Sequence, residues 1–201
     1  MEDYVILIPV AYALGSIPFG VYIGRIFRGI DVRKYGSGNI GMTNVLRAVG
    51  LPAAIIVLLL DMSKAIIVVI IARFLSDSYT LEALSAVVVL IGHSWSVFSG
   101  FKGGKGTASG YGALFILSPI AGIVASIVGF LLIAFTRYVS LGSIVAAFLG
   151  CGTLVMLSVT DNVPLGYIWF GLIGAPIVVL RHKDNISRLL NGKERRIGQK
   201  I

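Results

Sequence analysis

The residues best suited to chemistry lie in three short polar stretches. One reads Gly100-Phe101-Lys102-Gly103-Gly104-Lys105-Gly106 and directly follows a long apolar run. Glycines let backbone N–H groups approach an anion, and the two lysines supply charge. A second runs from Tyr35 to Arg47 and contains Gly36-Ser37-Gly38-Asn39-Ile40-Gly41. It offers hydroxyl, amide and guanidinium donors, and Arg47 can grip a phosphate through two parallel hydrogen bonds. The third, residues 181–191, opens on Arg181-His182 and carries Asn185. Groups of this kind bind phosphate, and their setting beside apolar sequence suggests a phosphorylated substrate meeting a lipidic one. Neither glycine-rich stretch ends in Gly-Lys-Ser or Gly-Lys-Thr, so a Walker-type nucleotide site is not supported.

The elements that must hold these stretches are apolar. Hydrophobic residues make up 57% of 201 and charged ones 13%, about half the charged share of a typical soluble domain. Apolar stretches cover residues 4–26, 52–72, 81–98, 111–135, 139–159 and 164–180. Most can cross a hydrocarbon core of about 30 Å, which takes roughly 20 helical residues. The expected fold is all-α: a polytopic integral membrane protein with a single domain over residues 1–201. The first stretch follows Glu2 and Asp3 rather than basic residues, so it reads as a span and not as a cleavable signal. Cys151 is the one cysteine, so no disulfide forms within the chain.

Charge sets the orientation. Of the 17 Lys and Arg, only Lys64 and Arg73 lie outside four places: Arg25 to Arg47, Lys102 with Lys105, Arg137, and Arg181 to Lys200. The other junctions, at Glu2/Asp3, Asp77/Glu82 and Asp161, are acidic or neutral. The positive-inside rule then puts the N-terminus outside and the four basic places in the cytoplasm. Six spans would strand the basic C-terminal segment outside. Ser118-Pro119, inside the fourth stretch, resolves the parity, because proline disfavours helix continuation and restricts the residue before it. A reversal there predicts seven transmembrane helices, the fourth short, with a cytoplasmic C-terminus.

Other polar residues are less pointed. Asp61 and Lys64 stand three apart within the second stretch and read as a structural pair, although ionisable groups at that depth are often functional. His93 either packs under the lysine stretch or contacts substrate. Glu194 reads as a neutraliser in a basic tail, and the tail itself as resting on anionic lipid. Two histidines, one cysteine and scattered carboxylates form no zinc or two-metal ligand set. Orientation accounts for the net charge of +8 without a nucleic acid partner. A small transporter for a phosphorylated organic anion would also use broken helices and intramembrane charge. It needs polar groups reachable from both sides, whereas the basic stretches here fall on one. A non-catalytic scaffold would not need three anion-binding stretches.

Three ordered sets of residues resemble one family. Gly15-Ser16-Ile17-Pro18-Phe19-Gly20, then Gly36-Ser37-Gly38-Asn39-Ile40-Gly41-Met42-Thr43-Asn44 with Arg47, make the first. Gly92-His93, Phe98 and Phe101-Lys102-Gly103-Gly104-Lys105-Gly106 make the second. Arg181-His182, Asn185, Arg188-Leu189-Leu190 and Gly192-Lys193-Glu194 make the third. They are similar to the three motifs of the bacterial acyl-phosphate:glycerol-3-phosphate acyltransferases, the PlsY family. Asp61 with Lys64, and Arg137-Tyr138-Val139-Ser140-Leu141 with Ser143, also fit. Ser96 departs from the pattern, since the family usually has proline there.

The resemblance implies transfer of a fatty acyl group from acyl phosphate to the 1-hydroxyl of sn-glycerol 3-phosphate, giving lysophosphatidate and phosphate. This is the first acylation step of phospholipid synthesis. It implies a monomer among the lipids of the bacterial inner membrane, without cofactor, with its motifs on the cytoplasmic side. It implies catalytic roles for His182, Asn185, Ser37, Lys105 and Arg47. Substrate or phosphate binding falls to Asn39, Gly103, Gly104, Gly106, Ser143 and Lys102. His182 would orient or deprotonate the attacking hydroxyl, and a substrate phosphate could equally be the base. Acyl phosphate is a mixed anhydride and already activated. The site then has only to hold two anionic reactants together and stabilise the oxyanion and the departing phosphate.

Overall fold

The structure is a computed structural model and describes residues 2–199. These residues form ten α-helices and no strand: α1 (Glu2–Gly15), α2 (Phe19–Arg28), α3 (Met42–Ala48), α4 (Leu51–Leu75), α5 (Tyr79–Ser94), α6 (Thr107–Leu117), α7 (Pro119–Thr136), α8 (Val139–Val159), α9 (Ile168–Arg181) and α10 (Lys183–Leu190). Five stretches among them are long and apolar enough to cross a membrane: Asp3–Arg28, Leu51–Leu75, Tyr79–Ser99, Pro119–Thr136 and Val139–Val159. A sixth results if Leu165–Arg181 and Lys183–Leu190, bent by 60°, count as one. α6 has 11 residues and is only ~16 Å long at about 1.5 Å per residue.

The expected break at Ser118-Pro119 is present, and its cause is local. α6 ends at Leu117, the Ser118 hydroxyl caps the Ala121 N–H, and Pro119 opens α7. Serine at the cap and proline in the first turn suit a helix start. The first apolar stretch departs from the single helix expected. It breaks at Ser16–Pro18 into α1 and the amphipathic α2. Proline again restricts the residue before it, and Gly15 is pressed against α5, where a β-carbon would fall 2.5 Å from the carbonyl oxygen of Val89.

Contacts give each helix its direction. α1 and α5 run parallel, with Tyr4 against Ser78 at one end and Ser16 against Gly92 at the other. α4 opposes α5, pairing Asp61 with His93 and Arg73 with Glu82. α6 runs with α4, setting Gly112 on Met62 and Ile116 near Arg73. α7 returns along α6, with Gly122 on Phe115 and Gly129 on Tyr111. α8 returns along α7 through Gly142 and Gly150, and α9 along α8 through Gly171 and Gly174. Small residues at these crossings let backbones approach, which is how helices associate where lipid supplies no hydrophobic drive. Phe74, Phe130 and Phe135 are exposed on the outer faces. The alternation brings the segments 29–50, 95–106, 137–138 and 182–199 to one end of the bundle.

The opposite end is closed by charge. Arg73 Nε lies 2.7 Å from Glu82 Oε2, and the Tyr167 hydroxyl donates to the same oxygen at 2.8 Å. Arg73 Nη2 also donates to the Ile116 carbonyl at 2.8 Å. That carbonyl lies in the last turn of α6, where no intrahelical donor remains.

Candidate active site

The first polar stretch is folded around Asn44. Its Nδ2 donates to the carbonyls of Val32 (2.9 Å) and Tyr35 (3.1 Å), and its Oδ1 accepts from the Ser37 N–H at 2.8 Å. Asn39 closes a small turn by accepting from the Gly41 N–H. Gly36 and Gly38 take left-handed conformations, with φ of 60° and 70°, where a β-carbon is disfavoured. The result presents Ser37, Asn39 and, from the last turn of α3, Arg47 to a common space.

The third stretch does not continue α9. The chain bends by 60° at His182, so His182 is the hinge residue and Asn185 belongs to α10. His182 is buried, and its Nδ1 lies 2.8 Å from the Val178 carbonyl. A carbonyl can only accept, so Nδ1 carries the proton and Nε2 is left with the free lone pair. Asn185 accepts from the Lys105 ammonium at 2.6 Å and donates to Glu194 Oε1 at 2.6 Å. Only this amide orientation suits both partners. Glu194 further accepts from the Ser140 hydroxyl and from Arg188 Nε, each at 2.7 Å. Asn185 therefore stands between Lys105 and Glu194, and the ammonium has no carboxylate partner among the described residues.

These groups line one cavity of about 480 Å³. Ser37, Asn39, Arg47, Lys105, Gly106, Ser143, His182 and Asn185 all reach it. Arg181, Lys183, Arg188 and Arg195 bring its cations to six, against Asp61, Asp184 and Glu194. Leu58, Ile133, Val139 and Leu180 make part of the wall apolar. Burial pushes the Lys105 ammonium down to about 8, against the pull of Glu194. Burial, with Arg195 and Arg188 nearby, also lowers the pKa of the Arg47 guanidinium. Burial alone would raise the Glu194 carboxyl, but hydrogen bonds from Asn185, Ser140 and Arg188 together hold it below the usual carboxylate value. Cations crowd one another here, and an anion in the cavity would relieve them.

Three expected residues are placed elsewhere. Lys102 is exposed and outside the cavity lining. Gly103 and Gly104 are buried behind it. The Gly104 N–H donates to the His93 carbonyl at 2.9 Å, and Arg181 donates to the carbonyls of Gly104 (3.1 Å) and Gly103 (3.2 Å). The Arg181 guanidinium also stacks 5.3 Å from the Trp95 ring. Asn44, Arg181 and Glu194 thus organise the site, although none of the three was expected as a catalytic or substrate-binding residue. Ser96, in place of the usual proline, donates its hydroxyl to the Ser16 carbonyl and ties the lysine stretch to the break in the first span.

Comparison with known proteins identifies the family. A family profile described as glycerol-3-phosphate acyltransferase matches residues 5–192. The chain is 43% identical over 196 residues to a glycerol-3-phosphate acyltransferase of Desulforamulus reducens, covering 98% of this chain and 96% of that one. It is 38% identical over 203 residues to one of Halalkalibacterium halodurans, covering 100% and 98%. It is also similar to the crystal structure of PlsY, an integral membrane glycerol 3-phosphate acyltransferase, in its glycerol 3-phosphate form. That match has a TM-score of 0.88 and 36% identity, and covers 98% of this chain and 96% of that one. The family profile over residues 5–192, with relatives matched over nearly the whole chain in sequence and in structure, makes this chain an acyltransferase of the multi-pass membrane type and a member of the PlsY family of glycerol-3-phosphate acyltransferases.

Proposed function

We propose that the chain transfers a fatty acyl group from acyl phosphate to the 1-hydroxyl of sn-glycerol 3-phosphate, releasing lysophosphatidate and inorganic phosphate. The observation that carries this reading is the mixed lining of the cavity: six cations together with the apolar Leu58, Ile133, Val139 and Leu180. Such a space suits two phosphates and an acyl carbonyl at once. Arg47, Lys105 and the Ser37–Asn39 turn hold the phosphates. His182 accepts the hydroxyl proton at Nε2 as the oxygen attacks the acyl carbonyl. Collapse of the tetrahedral intermediate breaks the bond to phosphate, and the departing charge is met by Lys105 and Arg47. No covalent enzyme intermediate is needed, because the anhydride is already activated.

The bundle supports seven crossings, with α6 as the short fourth, in one domain. The basic segments gathered at one end make that end cytoplasmic under the positive-inside rule.

Purified protein in detergent, given acyl phosphate and glycerol 3-phosphate, should release phosphate without added divalent metal. Acyl-CoA should be a poor donor, since no nucleotide-binding pattern is present to hold its adenine end. Equal rates with acyl-CoA, or full inhibition by EDTA, would overturn this reading.

A further inference from the structure

The turn that carries Lys105 is shaped by what lies behind it. Lys64 Nζ lies 2.9 Å from Asp61 Oδ1 and 2.8 Å from His93 Nδ1. It also donates to the carbonyls of Gly15 (3.0 Å) and Ile17 (3.3 Å), at the break in the first span. Asp61, Lys64 and His93 are all buried. An ammonium can only donate, so His93 Nδ1 is the acceptor and its ring proton sits on Nε2. The ring is thereby fixed, with its far edge against Gly104. A β-carbon at position 104 would fall 2.0 Å from His93 Nε2, and one at position 103 would fall 2.1 Å from the His93 carbonyl oxygen. Neither glycine has a positive φ. Their backbone conformations would accept a side chain; their neighbour would not.

We infer that His93, locked by Lys64 and Asp61, is the positioning residue of the lysine turn. Gly103 and Gly104 are glycines because His93 occupies the space beside them, not because substrate does. The hydrogen bond from the Gly104 N–H to the His93 carbonyl fixes the turn, and Arg181 clamps its carbonyls from the other side. Lys105 is the next residue. Its ammonium reaches Asn185 only if the turn keeps this height. The inference rests on the proposed role of Lys105 in holding glycerol 3-phosphate.

A double-mutant cycle between positions 93 and 104 tests it. The full chain in detergent is titrated with sn-glycerol 3-phosphate alone, and its thermal midpoint is followed in parallel. Gly104→Ala should weaken binding about tenfold and lower the midpoint. His93→Asn keeps an acceptor near Nδ1 for Lys64 but removes Cε1 and Nε2, and should weaken binding by only a few-fold. On the His93→Asn background, Gly104→Ala should cost little more, a coupling of roughly fivefold or greater. His93→Ser removes the same ring atoms and replaces His93→Asn if that variant does not survive purification.

Independent penalties that simply multiply, in both affinity and midpoint, would show that the glycine serves the ligand and would overturn the inference. So would a Gly104→Ala protein with native affinity and midpoint. Absence of phosphate release from acyl phosphate, with the coupling intact, would sink the donor assignment and leave this inference standing. If the wild type binds no glycerol 3-phosphate, the functional reading fails, and the midpoint coupling still decides whether His93 sets the turn.

Discussion

Both ends of the bundle gather charge, and they use it in opposite ways. At the far end, Arg73, Glu82, Tyr167 and the Ile116 carbonyl satisfy one another. At the loop end, Arg47 has no side-chain hydrogen bond or ion pair among the described residues, and the one side-chain partner of Lys105 is the neutral Asn185. A matched network holds helices together. A surplus of cations around open space leaves donors for something that is not protein.

Mutations at the two ends should differ in what they cost. His182→Ala should have the largest effect, lowering turnover about 10²–10⁴-fold, as for a general base, with glycerol 3-phosphate affinity close to native. Retained turnover would pass the role of base to a substrate phosphate. Lys105→Ala and Arg47→Ala should each lose a charge-assisted contact of about 1.5–3 kcal/mol, roughly tenfold to hundredfold in kcat/KM, without a lower thermal midpoint. Arg47→Lys should not restore the loss, because an ammonium cannot present a two-pronged donor. A fall in midpoint that tracked the fall in rate would place these cations with the far-end network.

The pH profile gives a smaller effect with a definite sign. The Lys105 ammonium is pushed down to about 8, and phosphate binding needs its charged form. In free enzyme that form is lost as pH rises, so kcat/KM for glycerol 3-phosphate should fall above pH 8, by roughly tenfold for each further unit. Bound phosphate favours the cation, so kcat should hold to higher pH. Lys105→Arg should remove the alkaline fall; its persistence would assign the limb to another group. Glu82→Gln should have the least effect on activity, within about twofold, yet lower the midpoint. It leaves Arg73 without its carboxylate, and because that side chain is 39% exposed solvent screens part of the loss. A raised KM with native stability would contradict the structural reading of that end.

Much of this was legible in the sequence because it depends on local rules. Apolar length marks the crossings, Ser118-Pro119 marks the reversal, and glycine with cations marks the polar segments that meet at the cavity. What stayed hidden depends on distant neighbours. Glu194 looks like one acid in a basic tail, but the bend at His182 carries it onto Asn185 and Ser140. Asn44 looks like one more polar residue of a turn, until the turn closes around its amide. Gly103 and Gly104 invite a phosphate reading because nothing in their own stretch shows that His93 fills the space beside them. The bend at His182 has no sequence signal, because the chain is helical on both sides of it, in α9 and α10.

The cavity also has a depth. Its lining includes Leu58 and Asp61, seven and ten residues past the start of α4 at Leu51, or ~10 and ~15 Å along the helix at about 1.5 Å per residue. The short α6 is what makes this possible, since its N-terminal end stops well below the level where α4 begins. A lipid tail drawn fully into water loses about 0.8 kcal/mol for each methylene exposed. A reaction centre sunk to this level spares a long-chain donor that ascent. The small, water-soluble reactant makes the journey instead.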